Sequence, residues 1–413
     1  MSKMPSVMSH DFSRVPHVDI PRSVFNRSCG NKLTFDAGYL VPCFVDEVLP
    51  GDTFNLNMAG FARLATPLHP FMDNLHMETF FFFVPNRLLW DNWQEFNGEQ
   101  RDPDDSTDFL VPTLTSGAGG FGAGSVSDYF AIPTGVPSLT VNALHHRAYN
   151  LIYQEWFRDE NLQDAVPINR GDGPDDPADY PLRRRNKRHD YFTSCLPWPQ
   201  KGDSVSLPLG DFAPLQLHQN GTPGPISPIG YLDNNNGALQ KLVSQGVGAD
   251  VSIATVDDGN LWKLHTDLSN ATASTVNELR QAFQIQKLYE KDARGGTRYT
   301  EILKSHFGVT SPDARLQRPE YLNSGYSPIQ VNPIAQTSAT DQATTPQGNL
   351  AAVGTSGFKS HGFTSSFTEH GVIIGLVCVR ANLTDQQGLN RMWSRQTRYD
   401  FYWPTLAHLG ELT

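Results

Sequence analysis

The longest apolar runs in this chain are the length of a strand. They are Phe80-Phe81-Phe82-Phe83-Val84 and Gly371 to Val379, and neither approaches the roughly 18 residues that a membrane-spanning helix needs. Neighbouring residues of a strand face opposite ways, so a strand that is apolar at successive positions has to be covered on both sides. Between the apolar runs, glycine and proline punctuate the sequence, with Gly 34 and Pro 29 in 413 residues. That is about 15%, against an average near 12%, and it argues against a helical bundle or coiled coil. Aromatic residues reach 11% and charged residues only 18%, a composition that can build a core and does not fit disorder. With Lys+Arg 32 against Asp+Glu 43, the net charge is -11, which excludes a globally basic nucleic-acid binder. Length alone suggests two or three domains, but a single β-domain lengthened by loops fits the pattern better.

Residues 1–32 are polar, without a period, and carry Pro5, Pro16 and Pro21. An extended arm is predicted. It is mildly basic, because Lys3, Arg14, Arg22, Arg27 and Lys32 outnumber Asp11 and Asp19. Its first residues contain no apolar h-region, so no secretory signal is expected. Cys29, Cys43, Cys195 and Cys378 are far apart, which argues against a zinc site or a disulfide framework and suits a reducing compartment. Strands and turns are predicted over 33–84. Pro50-Gly51-Asp52 marks a turn, and Thr53 to Met58 alternates as a half-buried strand does. A short helix is predicted over 86–93, then a loop region over 100–140. A second helix from about 141 to 160 would carry Leu144, Ala148, Leu151, Ile152 and Trp156 on one face. Residues 205–272 read as a surface insertion with short strands at Val251 to Val256 and Leu261 to Leu264. Thr275-Val276-Asn277-Glu278 fits a capping box, and Gly295-Gly296 ends the helix it starts. Residues 308–366, with Pro312, Pro319, Pro328, Pro333 and Pro346, read as polar loop. Val372 to Arg380 reads as a buried strand.

Spacing selects no catalytic, cofactor-binding or metal-ligating residue. Gly117-Ala118-Gly119-Gly120-Phe121-Gly122 matches G-x-G-x-x-G but lacks the flanking strand and helix of a dinucleotide site. His145 and His146 diverge by about 100° on a helix and cannot both chelate one ion from one face. Asp102, Asp104, Asp105 and Asp108 lack the order of a calcium loop and read as a solvated acidic loop. Residues 171–189 place Asp172, Asp175, Asp176 and Asp179 before Arg183, Arg184, Arg185, Lys187 and Arg188. Such a run reads as a solvated loop whose halves neutralise each other, or as a phosphate-contacting or subunit-contact patch.

Several blocks resemble one family. They include Pro21-Arg22-Ser23-Val24-Phe25-Asn26-Arg27-Ser28, Thr34 to Leu40, Val45 to Thr53, Met72-Asp73-Asn74, Phe80 to Trp93 and Asn97-Gly98-Glu99-Gln100. Leu196 to Gly202, the run from Asn277 through Asp292-Ala293-Arg294-Gly295-Gly296-Thr297-Arg298-Tyr299 to Arg315, Glu369-His370-Gly371 and Phe401-Tyr402-Trp403-Pro404 complete the set. On these blocks the chain resembles the major capsid proteins of the gokushovirus branch of the Microviridae, small single-stranded DNA bacteriophages. The resemblance implies an all-β fold: a single eight-stranded jelly roll over 33–413 with long loop insertions and a few short helices. It implies a homo-oligomeric icosahedral shell around a circular single-stranded DNA genome, found in the virion and assembled in the host cytoplasm. The arm would lie near the inner surface. The insertion at 205–272 would form a protrusion near the three-fold axes that meets a host cell-surface receptor. Arg14, Arg22, Arg27, Arg183, Arg184, Arg185, Lys187 and Arg188 are the candidates for genome contact. A small basic DNA-binding virion protein and an internal scaffolding protein are further partners in this reading; no cofactor and no membrane are. Members of the resembled family continue beyond the position matching Thr413, so the resemblance implies a short member or a fragment. The alternatives are a lectin-like jelly roll that binds glycans without assembling, and a cell-wall hydrolase, for which spacing selects no carboxylate pair.

Overall fold

Strand β1 (Val41–Val48) contains Pro42. Proline cannot donate to a ladder, so it belongs on a sheet edge, and β1 is an edge strand. With β2 (Thr53–Arg63), β3 (Leu75–Pro85), β11 (Glu320–Ala335), β12 (Leu350–Ser366) and β13 (Gly371–Ala381) it forms a six-stranded sheet of order β1-β13-β3-β11-β12-β2. Every neighbouring pair is antiparallel. The computed structural model describes residues 21–66, 73–188, 196, 198, 200–206, 215–219, 222–223, 231–234, 238–241, 262–266, 275–339, 341, 343, 346–383 and 388–406.

The chain divides into two compact units. The first comprises Met1–Tyr153, Pro167–Arg185 and Pro319–Asn382, and holds the large sheet. Strands β11 and β12 each change partner along their length. β11 pairs with β3 up to Ile329 and with β12 from Gln330, and β12 passes to β2 at Thr355. The sheet therefore curls until its two halves face each other. Phe81, Phe83, Val48 and Ile373 from one half pack with Phe363 and Phe367, and Phe54, Leu56 and Met58 of β2 pack against them. The Phe83 and Phe367 ring centroids are 4.4 Å apart, and those of Phe81 and Phe363 are 5.5 Å apart. Each such phenylalanine contributes about 1.5–3 kcal/mol by leaving water.

The other face of β3 is covered as well, as its unbroken apolar run requires. The helix Leu144–Ile152 lies against β3 and β13, and the Tyr149 hydroxyl donates to the Leu40 carbonyl at 2.8 Å. Beside it, β4 (Thr113–Thr115) and β5 (Thr140–Asn142) pair antiparallel. Leu114, Phe121, Ala143 and Tyr180 form a second small core there. The glycine-rich stretch at 117–122 belongs to this packing. At Gly120, φ is +72°, and a Cβ would fall 2.4 Å from the Val136 nitrogen.

The second unit comprises Gln154–Val166, Asn186–Arg318 and Leu383–Thr413. Its described insertion residues form β6 (Leu215–Gln219), β7 (Thr222–Pro223), β8 (Tyr231–Asn234), β9 (Ala238–Lys241) and β10 (Trp262–Thr266). They pair as β10-β6-β7 and β8-β9. Its main helix spans Val276–Gly295 and opens with the capping box: Glu278 N–H donates to Thr275 Oγ1 at 3.2 Å, and Thr275 N–H to Glu278 Oε2 at 2.7 Å. Arg298 ties this unit together, donating to the Gln154 carbonyl at 3.2 Å and facing Glu160 at 3.4 Å.

Three sequence expectations need correction. Residues 320–366 are largely strand, not loop. Their sequence is polar and glycine-rich, and each half of β11 has a neighbour on one side only, which leaves room for Pro328 and Pro333. The helix predicted over 141–160 is Leu144–Ile152, continued by a π-helical turn over Tyr153–Phe157. The segment 86–93 is a 3-10 turn, Asn86–Leu88, followed by a one-turn helix, Trp93–Phe96. The strand predicted at 251–256 lies outside the described residues.

Candidate nucleic-acid interface

The basic residues singled out by sequence occupy three kinds of position. Arg14 lies outside the described residues. Arg22 and Arg27 belong to the arm and turn back onto β1 and the turn that follows it. Arg22 donates to the Gly51 carbonyl, at a turn where φ is +86° and a Cβ would strike the Arg22 guanidinium. Arg27 pairs with Asp46 at 2.9 Å.

Arg183, Arg184 and Arg185 form part of a strap across the first unit. The Arg183 backbone N–H donates to the Tyr149 hydroxyl at 2.9 Å, and its guanidinium donates to the Asp179 carbonyl at 3.1 Å. Arg184 is exposed; its guanidinium lies 4.8 Å from the centre of the Tyr39 ring and donates to that hydroxyl at 3.0 Å. Arg185 sits over the Phe80 ring at 4.6 Å and pairs with Glu78 of β3. Arg380 of β13 holds the same carboxylate at 3.1 Å. Lys187 and Arg188 are exposed in the second unit.

The acidic half of the run finds its partners elsewhere. Asp172 accepts from Trp90 Nε1 at 2.7 Å and from Asn92 at 2.8 Å, and Asp176 caps the Ala178 N–H at 2.9 Å. Asp175 is fully buried. It takes a bidentate pair from Arg147, at 2.8 and 2.7 Å, and a hydrogen bond from Tyr180. Arg147 also donates to the Leu89 carbonyl at 3.0 Å. Next to it, buried His146 hydrogen-bonds Ser127 at 2.9 Å between the edges of Phe130 and Tyr180. Burial first, and the neighbouring His145 second, push His146 down to about 4. The two histidines diverge as expected, and His145 faces Glu47 at 3.6 Å.

The acidic loop is likewise internally bonded, with Asp105 accepting the Asp102 N–H at 3.0 Å. Arg87, Trp93, Gln94, Asn97, Glu99, Glu369 and His370 line an open cavity of about 330 Å³, and Arg87 is clamped to Glu369 at 2.6 Å. Cys29 is exposed, Cys43 half-buried and Cys378 buried, all as free thiols.

Chemically, an exposed guanidinium on an aromatic face offers a phosphate two parallel donors and a nearby base a stacking surface. Arg184 on Tyr39 has that form. Sequence reasoning missed Glu78, Arg147 and Asp175 as the polar anchors of the layer beneath. The available signal was a lone Glu entering the apolar run before Phe80, because charged residues are almost never fully buried unless paired.

Residues 13–413 match the family described as phage capsid protein (F protein). The chain is 52% identical over 412 residues to capsid protein VP1 of Bdellovibrio phage phiMH2K, covering 97% of this chain and 77% of that one. It is 42% identical over 480 residues to capsid protein VP1 of Chlamydia phage 1, covering 99% and 79% respectively. Spiroplasma virus 4 capsid protein VP1 is 36% identical over 438 residues, with 100% and 78% coverage. The gokushovirus resemblance stated from the sequence blocks thus holds along the chain, and a role as a structural component of the virion follows. Among the described residues, no helix is long and apolar enough to cross a membrane. The chain belongs to the phage capsid protein (F protein) family.

Proposed function

We propose that this chain is the repeating subunit of an icosahedral shell around a circular single-stranded DNA genome, with no enzymatic activity. The observation that carries this reading is the curled antiparallel sheet of order β1-β13-β3-β11-β12-β2. Its first strand lies beside its last, as the returning connection of a Greek-key double sheet demands. An eight-stranded jelly roll over 33–413 needs two strands more than this sheet holds. The arm 1–32 faces the interior in this reading. The insertion at 205–272 reaches outward to a host receptor, and a scaffolding protein and a small basic DNA-binding protein assist assembly and packaging.

Phosphate contact is assigned to Arg183, Arg184, Lys187 and Arg188, with Arg14 of the arm; Arg185, held by Glu78, and Arg22 and Arg27, held by Gly51 and Asp46, could join only after leaving these partners. Because the subunit carries -11 overall, any phosphate contact must be local. Expression of the protein and imaging of the product tests the reading. Closed shells are expected, and a stable monomer at high concentration would contradict it. Glycan binding without assembly is a second reading, favoured by the cavity at Trp93, where an aromatic ring meets amide and carboxylate side chains. A glycan array on the monomer would test it.

A further inference from the structure

The arm carries an apolar pair that its own subunit leaves uncovered. Residues 21–32 are all exposed, with Val24 at 100% and Phe25 at 79%. The segment nevertheless has a defined course. Its root is fixed where Leu33 and Phe35 pack against the cluster of Val41, Met77 and Val377, and the Tyr129 hydroxyl donates to the Thr34 carbonyl at 2.9 Å. Further out, Asn31 Nδ2 donates to the Cys43 carbonyl at 3.2 Å, Arg27 pairs with Asp46 at 2.9 Å, and Arg22 donates to the Gly51 carbonyl. As the arm numbers fall from 31 to 22, their partners rise from 43 to 51. The arm therefore runs antiparallel along the edge strand β1 and screens that edge, which is an aggregation hazard when left bare. Its ties are side-chain ties, and the Arg27 side chain is 66% exposed, so they hold lightly.

In an extended chain adjacent side chains point to opposite sides. Val24 and Phe25 are both exposed, so β1 takes up neither. We propose that residues 21–32 form an assembly strap: Arg22 and Arg27 lay the segment along β1, and Val24 and Phe25 seat on a second copy of this chain in the shell. The proposal rests on the shell reading above. Protein is favoured over DNA as the occupant because the guanidinium groups of Arg22 and Arg27 are engaged by Gly51 and Asp46, and the adjacent hydrophobic pair between them, Val24 and Phe25, lies exposed. An apolar pair gains by burial against protein and gains nothing from phosphate.

A photo-crosslinking amino acid substituted for Phe25 in assembled particles tests this. Irradiation is expected to give covalent dimers of the chain on a denaturing gel. Adducts confined to one chain, or adducts to DNA, would overturn it. V24S/F25S is expected to leave the melting temperature of the isolated subunit unchanged and to lower particle yield at least tenfold; wild-type yield would also overturn the proposal. If the unsubstituted protein makes no particles, the shell reading fails first, and the two failures are distinguished.

Discussion

Removing the Arg147 guanidinium would leave the Asp175 carboxylate buried with only neutral donors around it. Stranding a buried charge costs about 3–5 kcal/mol, so Arg147→Met should lower the free energy of unfolding by an amount of that order. Equilibrium urea unfolding measures it, and a change under about 1 kcal/mol would mean that the pair is not the anchor described. His146 makes a pH-dependent contribution in the same layer. Its folded value, about 4, is depressed below the unfolded 6.5, so the unfolded chain binds the proton first as pH falls. The contribution is present above pH 6.5, declines between 6.5 and 4, and is gone below 4, with a total of about 3 kcal/mol. His146→Gln should flatten the stability profile in that window; an unchanged profile would mean that the histidine is not responsible. None of this was legible in the sequence. The pattern read from residues 144–156 was an apolar stripe, whereas His146, Arg147 and Asn150 are buried beside Leu144 and Ala148. Periodicity counts polar residues as outward-facing, and only the partners supplied by distant loops make their burial tolerable.

The legible strands are those whose chemistry is visible locally. β3 was readable because apolar residues at consecutive positions demand two covers, and β2 because it alternates. The helix Val276–Gly295 was readable from its caps. β11 and β12 were not, because their sequence is polar and glycine-rich and they owe their pairing to neighbours. Ser327 and Ser356 illustrate this: both are buried, and their hydroxyls meet at 3.1 Å between β11 and β12 just beyond the ladder that joins those strands. Element-scale predictions follow from the cover on β3. Phe81→Ala opens the space between the sheet halves and should cost about 3–5 kcal/mol, read as a lowered denaturant midpoint. Gly120→Ala should cost more than about 1 kcal/mol, since its φ is positive and the Val136 backbone occupies the space. A neutral result at either position would contradict the packing described.

At the scale of the whole molecule, the acidic net charge and the local basic run make different predictions. If Arg184, Lys187 and Arg188 meet phosphates, replacing all three with Glu should weaken single-stranded DNA binding. It should also reduce the slope of log affinity against log salt by about 0.7 for each phosphate no longer neutralised. Filter binding across a salt series reads both, and an unaltered slope would remove these residues from the interface. The sequence blocks were enough to identify the family, since they extend from the arm to Phe401-Tyr402-Trp403-Pro404. The division of the chain into two compact units was not legible, because each unit is assembled from three separated segments. Whether this chain builds a shell is decided most directly by electron microscopy of the purified, expressed protein, paired with sedimentation. Closed icosahedral particles built from this one chain are expected; a protein that stays monomeric at high concentration would contradict the shell reading.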